Sequence, residues 1–329
     1  MHQLNLNRRS VLTLAGASAL TAASSGAWAQ GAFPNKPIKV IVPSAPGGVA
    51  DILTRLIAPK MTETLGQPVI VEYRAGAAGT IGLNAVSKSP ADGYAMVFVS
   101  ETHAAAESLY PKRGYSMQRD LIPLASIGNF PQVLVVNKNL PVNSIKELLD
   151  YARANPNKLN YGSGGVGNTY HMAMELLGQM ANVKMQHVPY SAASTARTDL
   201  IGGQIQLMFD TIGSMEQHIS AGTVRALAIS SSQRYARVAS LPTIAEAGVP
   251  GYLFESWCGL MGPAGMPAAV TARINEAVNL ALQDKAIAAQ FEANGVVPRI
   301  ASVQEFGGWI KTSVDKLGQV IKVGDIKVS

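Results

Sequence analysis

The chain has 329 residues, of which 47% are apolar and 15% are charged, and its net charge is +6. This length favours two domains, and the low charged fraction excludes a disordered or polyanion-binding protein. The sequence shows no cluster or stripe of Lys and Arg and has a single cysteine, Cys258, so we expect no nucleic-acid partner, no intrachain disulfide and no thiolate metal site.

The N-terminal segment has the order of an export signal. Arg8 and Arg9 precede an uncharged run over residues 11–23, and the small-residue pattern Ala27-Trp28-Ala29 follows. A short apolar run between a basic start and an A-x-A site is typical of a cleaved signal rather than of a membrane anchor. We therefore expect cleavage near Ala29 and export from the cytoplasm. The paired arginines leave the twin-arginine route and general secretion both open.

The next part of the chain alternates strands and helices. The pattern predicts strands at 38–43, 69–73 and 95–100, and helices at about 49–65 and 80–89. Continuous apolar strands separated by helices are typical of a parallel sheet covered on both faces. This part is therefore predicted to form an α/β domain.

The same alternation returns after Pro131. The pattern predicts strands at 132–136, 158–161, 184–188, 204–209 and 224–229, and helices at 144–154, 167–180, 192–202 and 214–221. An apolar run at 254–261 and helices at 267–282, 284–294 and 302–320 follow. These last segments hold too few strands for a third domain, so we expect them to return to the first one.

The predicted fold class is α/β, with two doubly wound α/β domains joined by two crossover strands. The predicted bounds are an export signal at 1–29, a first domain at 30–130 plus 254–329, and a second domain at 131–253. The chain then crosses between the domains near 129–133 and 252–258. A double crossing of this kind is typical of a hinged pair that closes on a ligand.

Two glycine-containing loops lead from a predicted strand into a predicted helix. The first follows the strand at 38–43 and includes residues 45–51, and the second covers residues 162–169. A helix that begins in this way directs free N–H groups and the positive end of its dipole toward the cleft, which suits a carboxylate. We predict that the two loops hold opposite ends of one ligand.

The second loop also matches two nucleotide-binding patterns in part. Its glycines fit G-x-G-x-x-G, and Asn168 stands where a phosphate loop has lysine. The acid that would hold a ribose is missing at 185–187, and asparagine does not neutralise a phosphate. Both patterns therefore fail on their second requirement, and we expect no cofactor.

Two aspartates each have two interpretations. Asp51 lies in the first turn of a predicted helix, where it either complements the helix dipole or contacts the ligand. Asp210 lies at the carboxyl end of the predicted strand at 204–209, where open α/β sheets place ligand-facing residues. It either orients the site or caps the following helix.

The histidines and serines do not match a known catalytic pattern. His103, His171 and His187 are scattered and no H-E-x-x-H pattern occurs, so we expect no metal site. Ser163 has Tyr161 where a nucleophile elbow needs glycine, which disfavours a hydrolase. One enzyme alternative stays open, in which His103 or His171 acts as a base on a small carboxylate in the same cleft.

Seven blocks in register, spread from Phe33 to the C-terminus, resemble the Bug-type (TctC-like) periplasmic solute-binding receptors of tripartite tricarboxylate transporters. They are PIKVIVP at 37–43 with 46–48 and Asp51, LGQPV at 65–69 with 71–79, DGY at 92–94, HVPY at 187–190, LIGGQ at 200–204, RALA at 225–228 and PTIAEAGVPG at 242–251. The resemblance implies a periplasmic Venus-flytrap receptor with no catalytic residues that captures a small carboxylate and delivers it to membrane transporter subunits.

Carried onto this sequence, the resemblance places ligand contacts in both loops and near two strand ends. These residues are Ser44, Ala45, Pro46, Gly47, Gly48, Asp51, Ser163, Gly164, Gly165, Gly167, Asn168, Thr169 and His171, with Thr102, His103 and Asp210. We expect a monomer that binds a di- or tricarboxylate, aliphatic or aromatic such as terephthalate. Ser44 stands where the family often has an aromatic residue, which leaves the identity of the carboxylate open. An amino-acid ligand would need Asp210 to face its ammonium group.

Overall fold

A computed structural model of the protein describes residues 33–328, so the predicted export signal at 1–29 lies outside the described residues. Up to residue 130 the chain forms β1 (Ile38–Val42), α1 (Val49–Leu65), β2 (Val69–Tyr73), α2 (Thr80–Ser87), β3 (Ala95–Ser100), α3 (Glu101–Leu109) and β4 (Leu121–Phe130). A turn of 3₁₀ helix at Ala77–Gly79 precedes α2.

The remaining elements follow the predicted alternation. The middle of the chain forms β5 (Gln132–Asn137), α4 (Ile145–Ala154), β6 (Asn160–Ser163), α5 (Thr169–Ala181), β7 (Gln186–Pro189), α6 (Ala193–Gly202), β8 (Leu207–Thr211), α7 (Ile212–Ser220), β9 (Val224–Ile229) and a 3₁₀ turn at Ala236–Val238. The last part forms β10 (Ser256–Pro263), α8 (Ala268–Gln283), α9 (Lys285–Ala293), β11 (Val297–Pro298) and α10 (Val303–Val323). None of the helices within residues 33–328 has the length and apolar character needed to cross a membrane.

The strands form two sheets, one with the order β11-β4-β10-β3-β1-β2 and one with the order β7-β6-β8-β5-β9. β1 is parallel to β2, in a register that runs from Ile38–Val69 to Val42–Tyr73, and parallel to β3. β10 is antiparallel to β3 and β4, and β5 is antiparallel to β8 and β9. The α/β fold class with two sheets is confirmed, and both sheets are mixed rather than all-parallel. A strand that enters a sheet without a crossover helix is free to run antiparallel to its neighbours.

The chain passes between the two sheets at adjacent points. β4 ends at Phe130 and β5 begins at Gln132, so Pro131 separates the two sheets on the outward path. On the return path Ser256, the first residue of β10, pairs with Phe130. The two crossing segments therefore lie side by side. The division into domains at 30–130 plus 254–329 and 131–253 stays a proposal, which this distribution of strands supports.

Helix α10 covers the larger sheet and reaches the smaller one. Ser302 and Glu305 form a capping box at its start, which satisfies the free N–H groups there. Its buried side chains are Phe306, Ile310, Ser313, Leu317, Val320 and Ile321, at the spacing of one helix face. Gln179 of α5 donates from Nε2 to the carbonyl oxygen of Val320 at 2.9 Å. One continuous core therefore contains residues of both sheets.

Candidate functional site

A cavity of about 330 Å³ lies between the two sheets, beside the crossing strands. Its lining comes from both sheets and consists of Val49, Ala50, Phe98, Ser100, Glu101, Thr102, Phe130, Thr169, Tyr170, Ala193, Arg197, Asp210, Thr211, Ser214, Ser256, Trp257 and Asn294. A concave site of this volume is large enough for a small organic molecule.

Helix starts surround this cavity. Within residues 33–328, the first residues of α1, α3, α5 and α6 and the N-cap of α7 line it: Val49, Glu101, Thr169, Ala193 and Thr211. The first N–H groups of a helix have no partner within the helix, and the helix dipole adds partial positive charge there. The cavity is therefore suited to an anionic ligand.

Two of these helices, α1 and α6, begin without a capping side chain. Their N-caps are Gly48 and Ala192, and neither can accept a side-chain hydrogen bond. The first intrahelical bonds are Ile52 N–H to Gly48 O at 3.0 Å and Ala196 N–H to Ala192 O at 3.4 Å. In the described part of the chain, the N–H groups of 49–51 and 193–195 have no acceptor. They are available to a ligand from both sides of the cavity.

The first glycine loop lies beside the cavity and does not line it. The lining begins at Val49 and Ala50, directly after the predicted loop residues Ser44, Ala45, Pro46, Gly47 and Gly48. The cavity wall on this side is therefore formed by the first residues of α1, and ligand contact by the loop stays a prediction. Residues 45–48 of the loop are exposed to solvent.

Asp51 holds this loop in place. It is 5% exposed and accepts hydrogen bonds from Gly47 N–H at 2.8 Å, from Arg55 Nε at 2.7 Å and from the Tyr73 hydroxyl at 2.8 Å. Burial would raise the pKa of Asp51, but these hydrogen bonds lower it below its usual range. Since its oxygens are already occupied, the geometry supports the structural interpretation of Asp51 over ligand contact.

The second glycine loop uses its polar groups within the protein. The Ser163 hydroxyl donates to Gly165 O at 3.0 Å and lies 2.7 Å from His187 Nε2. Asn168 Oδ1 accepts Tyr170 N–H at 2.9 Å and so caps α5. Gly164, Gly165 and Gly167 shape the turn, and Gly167 needs glycine because its φ is +76°. Of this loop, Thr169 lines the cavity.

Thr169 belongs to a buried hydrogen-bonded group at the crossing strands. Gln132 Nε2 donates to Thr169 Oγ1 at 2.9 Å and to Ser256 Oγ at 2.6 Å, and the two hydroxyls contact each other. Gln132 is fully buried. This group connects both crossing segments to the start of α5. Gln132 and Ser256 were not predicted as site residues, although each is a polar residue at the start of an apolar strand.

A buried ion pair forms another part of the cavity wall. Asp210 is 1% exposed, and its Oδ2 accepts from Arg197 Nε at 2.9 Å and lies 2.8 Å from Nη2 in the same ion pair. Its Oδ1 accepts Thr211 N–H at 2.7 Å. Burial raises the pKa of Asp210, and the Arg197 guanidinium opposes that rise. Asp210 lies in the wall as predicted, whereas Arg197 was missed because it lies mid-helix in α6 with no motif around it.

Glu101, the first residue of α3, is a buried acid in the same wall. It is 3% exposed, its Oε2 has no hydrogen-bond partner among the described residues, and burial raises its pKa to about 8. A carboxyl group with this pKa is mostly protonated at neutral pH, so it carries no charge that would repel an anion. Its neighbour Thr102 also lines the cavity, in agreement with the predicted placement.

His103 and His171 are not among the residues that line the cavity. His103 is 6% exposed and its Nδ1 accepts Ser100 N–H at 2.9 Å. His171 is 3% exposed, its Nδ1 accepts Gly167 N–H at 3.0 Å, and its ring stacks on His187 at 3.7 Å. Both imidazoles are thus structural acceptors. No group of three metal-binding side chains occurs within residues 33–328.

The rest of the wall is largely aromatic. Phe98, Phe130, Tyr170 and Trp257 line the cavity, and Trp257 Nε1 is satisfied by Ser313 Oγ at 2.8 Å. Aromatic faces of this kind pack against the apolar part of a ligand. The arrangement therefore fits a small molecule with an apolar middle and one or more anionic groups.

Comparisons with known proteins show the family to which the chain belongs. Residues 53–326 match the family model for the tripartite tricarboxylate transporter family receptor, TctC. The chain is 33% identical over 319 residues to protein BugT of Bordetella pertussis, covering 96% of this chain and 98% of that one. It is 42% identical over 280 residues to a UPF0065 protein in the tcbD-tcbE intergenic region of Pseudomonas sp. strain P51, covering 84% and 83%.

Solved structures of the same size superpose on the chain. Rhodopseudomonas palustris Rpa4515 with adipate has a TM-score of 0.76 and 33% identity, over 90% of this chain and 99% of that one. MatC of the same organism with bound malate has a TM-score of 0.74 and 29% identity, over 88% and 100%. The periplasmic binding protein BugD has a TM-score of 0.74 and 29% identity, over 90% and 99%. The chain therefore belongs to the TctC family of tripartite tricarboxylate transporter receptors, the Bug-type periplasmic binding proteins.

Proposed function

We propose that this protein is a non-catalytic receptor that captures a small carboxylate in the cavity between its two sheets. The observation that carries the proposal is that α1 and α6 both begin at this cavity without a capping side chain. Their free N–H groups approach from the two sheets, and a carboxylate is the ligand class that such groups bind best. An acid that is neutral at pH 7, Glu101, keeps the cavity free of uncompensated negative charge.

The cavity also limits the kind of carboxylate. Its volume of about 330 Å³ and its aromatic walls fit a short chain or a single ring. Two relatives in the family were solved with dicarboxylates, adipate in Rpa4515 and malate in MatC. We therefore favour a dicarboxylate, aliphatic or aromatic, as the ligand. An α-amino acid is disfavoured because both oxygens of Asp210 already accept hydrogen bonds, so this carboxylate is not free to receive an ammonium group.

The geometry disfavours the enzyme alternative, because neither histidine that was considered as a base lines the cavity. His103 and His171 lie outside the cavity wall and use Nδ1 to accept backbone N–H groups. A general base must reach the proton that it abstracts, either directly or through one water. This supports the receptor over a secreted enzyme acting on the same carboxylate.

The family supplies the remaining parts of the proposal. We propose that the mature receptor begins near Gln30 in the periplasm, is a monomer, and presents its ligand-bound form to the membrane subunits of a tripartite transporter. Closure of the proposed domains at 30–130 plus 254–329 and 131–253 around the crossing strands would enclose the ligand.

A thermal-unfolding panel tests the proposal. The protein without its signal is expected to be stabilised by at least one member of a panel of adipate, succinate, citrate, glutamate, nicotinate, terephthalate and phthalate. A ligand at a hundredfold its Kd adds about 2.7 kcal/mol to the unfolding free energy, which is easily measured. NAD and ATP serve as controls and are expected to produce no shift. Stabilisation by a nucleotide with no response to any carboxylate would overturn the proposal.

Substitution of Ala193 by proline tests the role of the helix starts. Proline at the first helical position fits the backbone, since Ala192 before it is extended with φ −151° and ψ 149°, and it removes one N–H group. Loss of a hydrogen bond to a charged group is expected to weaken the carboxylate found in the panel by about 10- to 100-fold. Calorimetric titration of Ala193→Pro beside Ala193→Ser, which keeps the N–H group, measures this. Equal affinities of the two variants would contradict the assignment.

A further inference from the structure

Among residues 33–328, Arg197 is the one Lys or Arg that lines the cavity, and Asp210 holds its position. Nε and Nη2 of Arg197 both lie within 3 Å of Asp210 Oδ2, at 2.9 and 2.8 Å. Nη1 has no acceptor within residues 33–328. The guanidinium is thus held from one side while part of its hydrogen-bonding capacity is unused.

The charges of this ion pair are not equally placed. Both side chains line the cavity, but that of Arg197 is 23% exposed and that of Asp210 only 1%, so the cation is the more accessible member of the pair. Asp210 also accepts Thr211 N–H, which ties it to the start of α7. A ligand in the cavity therefore meets the positive member of the pair.

Arg197 lies one turn after the uncapped start of α6. Ala193 and Arg197 are four residues apart, which places them on the same face of the helix, and both line the cavity. The free N–H groups of 193–195 and the unused guanidinium N–H groups are therefore available on one side of the cavity. Together they can hold one carboxylate, while the start of α1 is available to another.

Resting on the proposed function, we propose that Arg197 is the specificity-determining residue that binds the second acidic group of the ligand, with Asp210 as the positioning residue that holds its guanidinium. The receptor then prefers a dicarboxylate over a monocarboxylate of the same length and shape. A planar guanidinium fixed by one carboxylate and open to another is suited to this selection because its hydrogen bonds are directional.

Matched ligand pairs test the proposal. Adipate is compared with hexanoate, and terephthalate with 4-methylbenzoate, by calorimetric titration of the protein without its signal. The wild-type protein is expected to bind the diacid of at least one pair about 10- to 100-fold more tightly than its monoacid. In Arg197→Gln this preference is expected to fall below about threefold, with little change for the monoacid.

Arg197→Gln alone leaves Asp210 buried and unpaired, which can prevent folding. The double variant Arg197→Gln, Asp210→Asn replaces both members of the pair by neutral side chains of similar shape and is measured in parallel. It is expected to lose the preference in the same way. Asp210→Asn alone is expected to reduce the preference, since the guanidinium is no longer held, and Arg197→Lys is expected to restore it in part.

The ratio of diacid to monoacid affinity separates the outcomes. If the variants weaken both members of a pair equally, Arg197 is structural and the inference is overturned. If the wild-type protein binds a monoacid as tightly as its diacid, the inference is overturned while the receptor function stands. If the wild-type protein binds no carboxylate of the pairs or of the thermal panel, the proposed function fails as well.

Discussion

Replacing Phe306 by alanine is expected to lower the unfolding free energy by about 3–5 kcal/mol, because it opens a cavity in the core shared by α10 and the larger sheet. The Phe306 ring is fully buried and lies edge-to-face against Trp257, with ring centroids 5.5 Å apart. Gly259 on β10 leaves the space for it, since a Cβ there would lie 2.3 Å from Phe306 Cζ. Denaturant unfolding of the wild type and of Phe306→Ala measures the loss.

Val323→Ala is the matched control for this substitution. Val323 lies on the same helix and is 71% exposed, so the change is expected to stay within about 0.5 kcal/mol. Because Trp257 also lines the ligand cavity, Phe306→Ala is expected to weaken ligand binding too. A loss of less than about 1 kcal/mol would show that the ring does not pack as the structure describes.

Acid is expected to destabilise the protein strongly between pH 6.5 and 4, because three histidines are held neutral in the fold. Burial lowers the pKa of His103 to about 4, of His171 to about 3 and of His187 to about 4. In the unfolded chain these groups bind protons near pH 6.5, so the unfolded state takes up more protons as the pH falls. Their contribution to stability is therefore fully present above pH 6.5 and is lost as the pH falls toward the folded pKa values.

Glu101 acts in the opposite direction. Burial raises its pKa to about 8, so the folded state binds one more proton than the unfolded state between about pH 8 and 4.5. This proton is subtracted from those that the three histidines take up on unfolding. Near pH 5.5 the unfolding free energy is then expected to fall by about 2 kcal/mol for each unit by which the pH is lowered. Equilibrium unfolding in urea from pH 7.5 to 4.5 measures the slope.

The double variant His171→Asn, His187→Asn identifies the groups responsible. Its stability at pH 7 is expected to be lower, because the stacked pair supports the second glycine loop. The slope of its unfolding free energy against pH should decrease, because nearly two fewer protons are taken up on unfolding. His218→Gln, in the last turn of α7, serves as the control for a histidine outside the cluster. An unchanged slope in the double variant would refute the assignment.

Most of the secondary structure could be predicted because it depends on local spacing. The predicted helix at 49–65 and the predicted strand at 224–229 are confirmed with the same bounds. Helix α3 was not predicted, because its alanine-rich sequence shows no regular spacing of large apolar residues. Strand β4 escaped because it contains Pro123 and Gly128, residues that disfavour a strand interior, and it tolerates them beside β10 in the sheet.

The site could be predicted in part. Thr102, Thr169 and Asp210 line the cavity as expected, since each lies at the end of a strand or the start of a helix that faces the cleft. Other predicted residues, among them Asn168 and His171, make hydrogen bonds within the protein and do not line the cavity. Direct ligand contact by any predicted residue stays a prediction. A loop's composition indicates that backbone N–H groups come free, but only the fold shows that the cavity is lined by the residues after the loop.

The sequence by itself determined the two α/β units, the two crossings between them, the glycine loops and the family, because periodicity, turn residues and ordered sequence blocks are local properties of the chain. The tertiary structure alone decided which helix starts meet, that β5 and β10 run antiparallel to their neighbours, and that Arg197 of α6 pairs with Asp210 at the end of β8. The physical reason is that packing brings these groups together from separate elements. The spacing of residues within one helix or strand does not predict a contact between two separate elements.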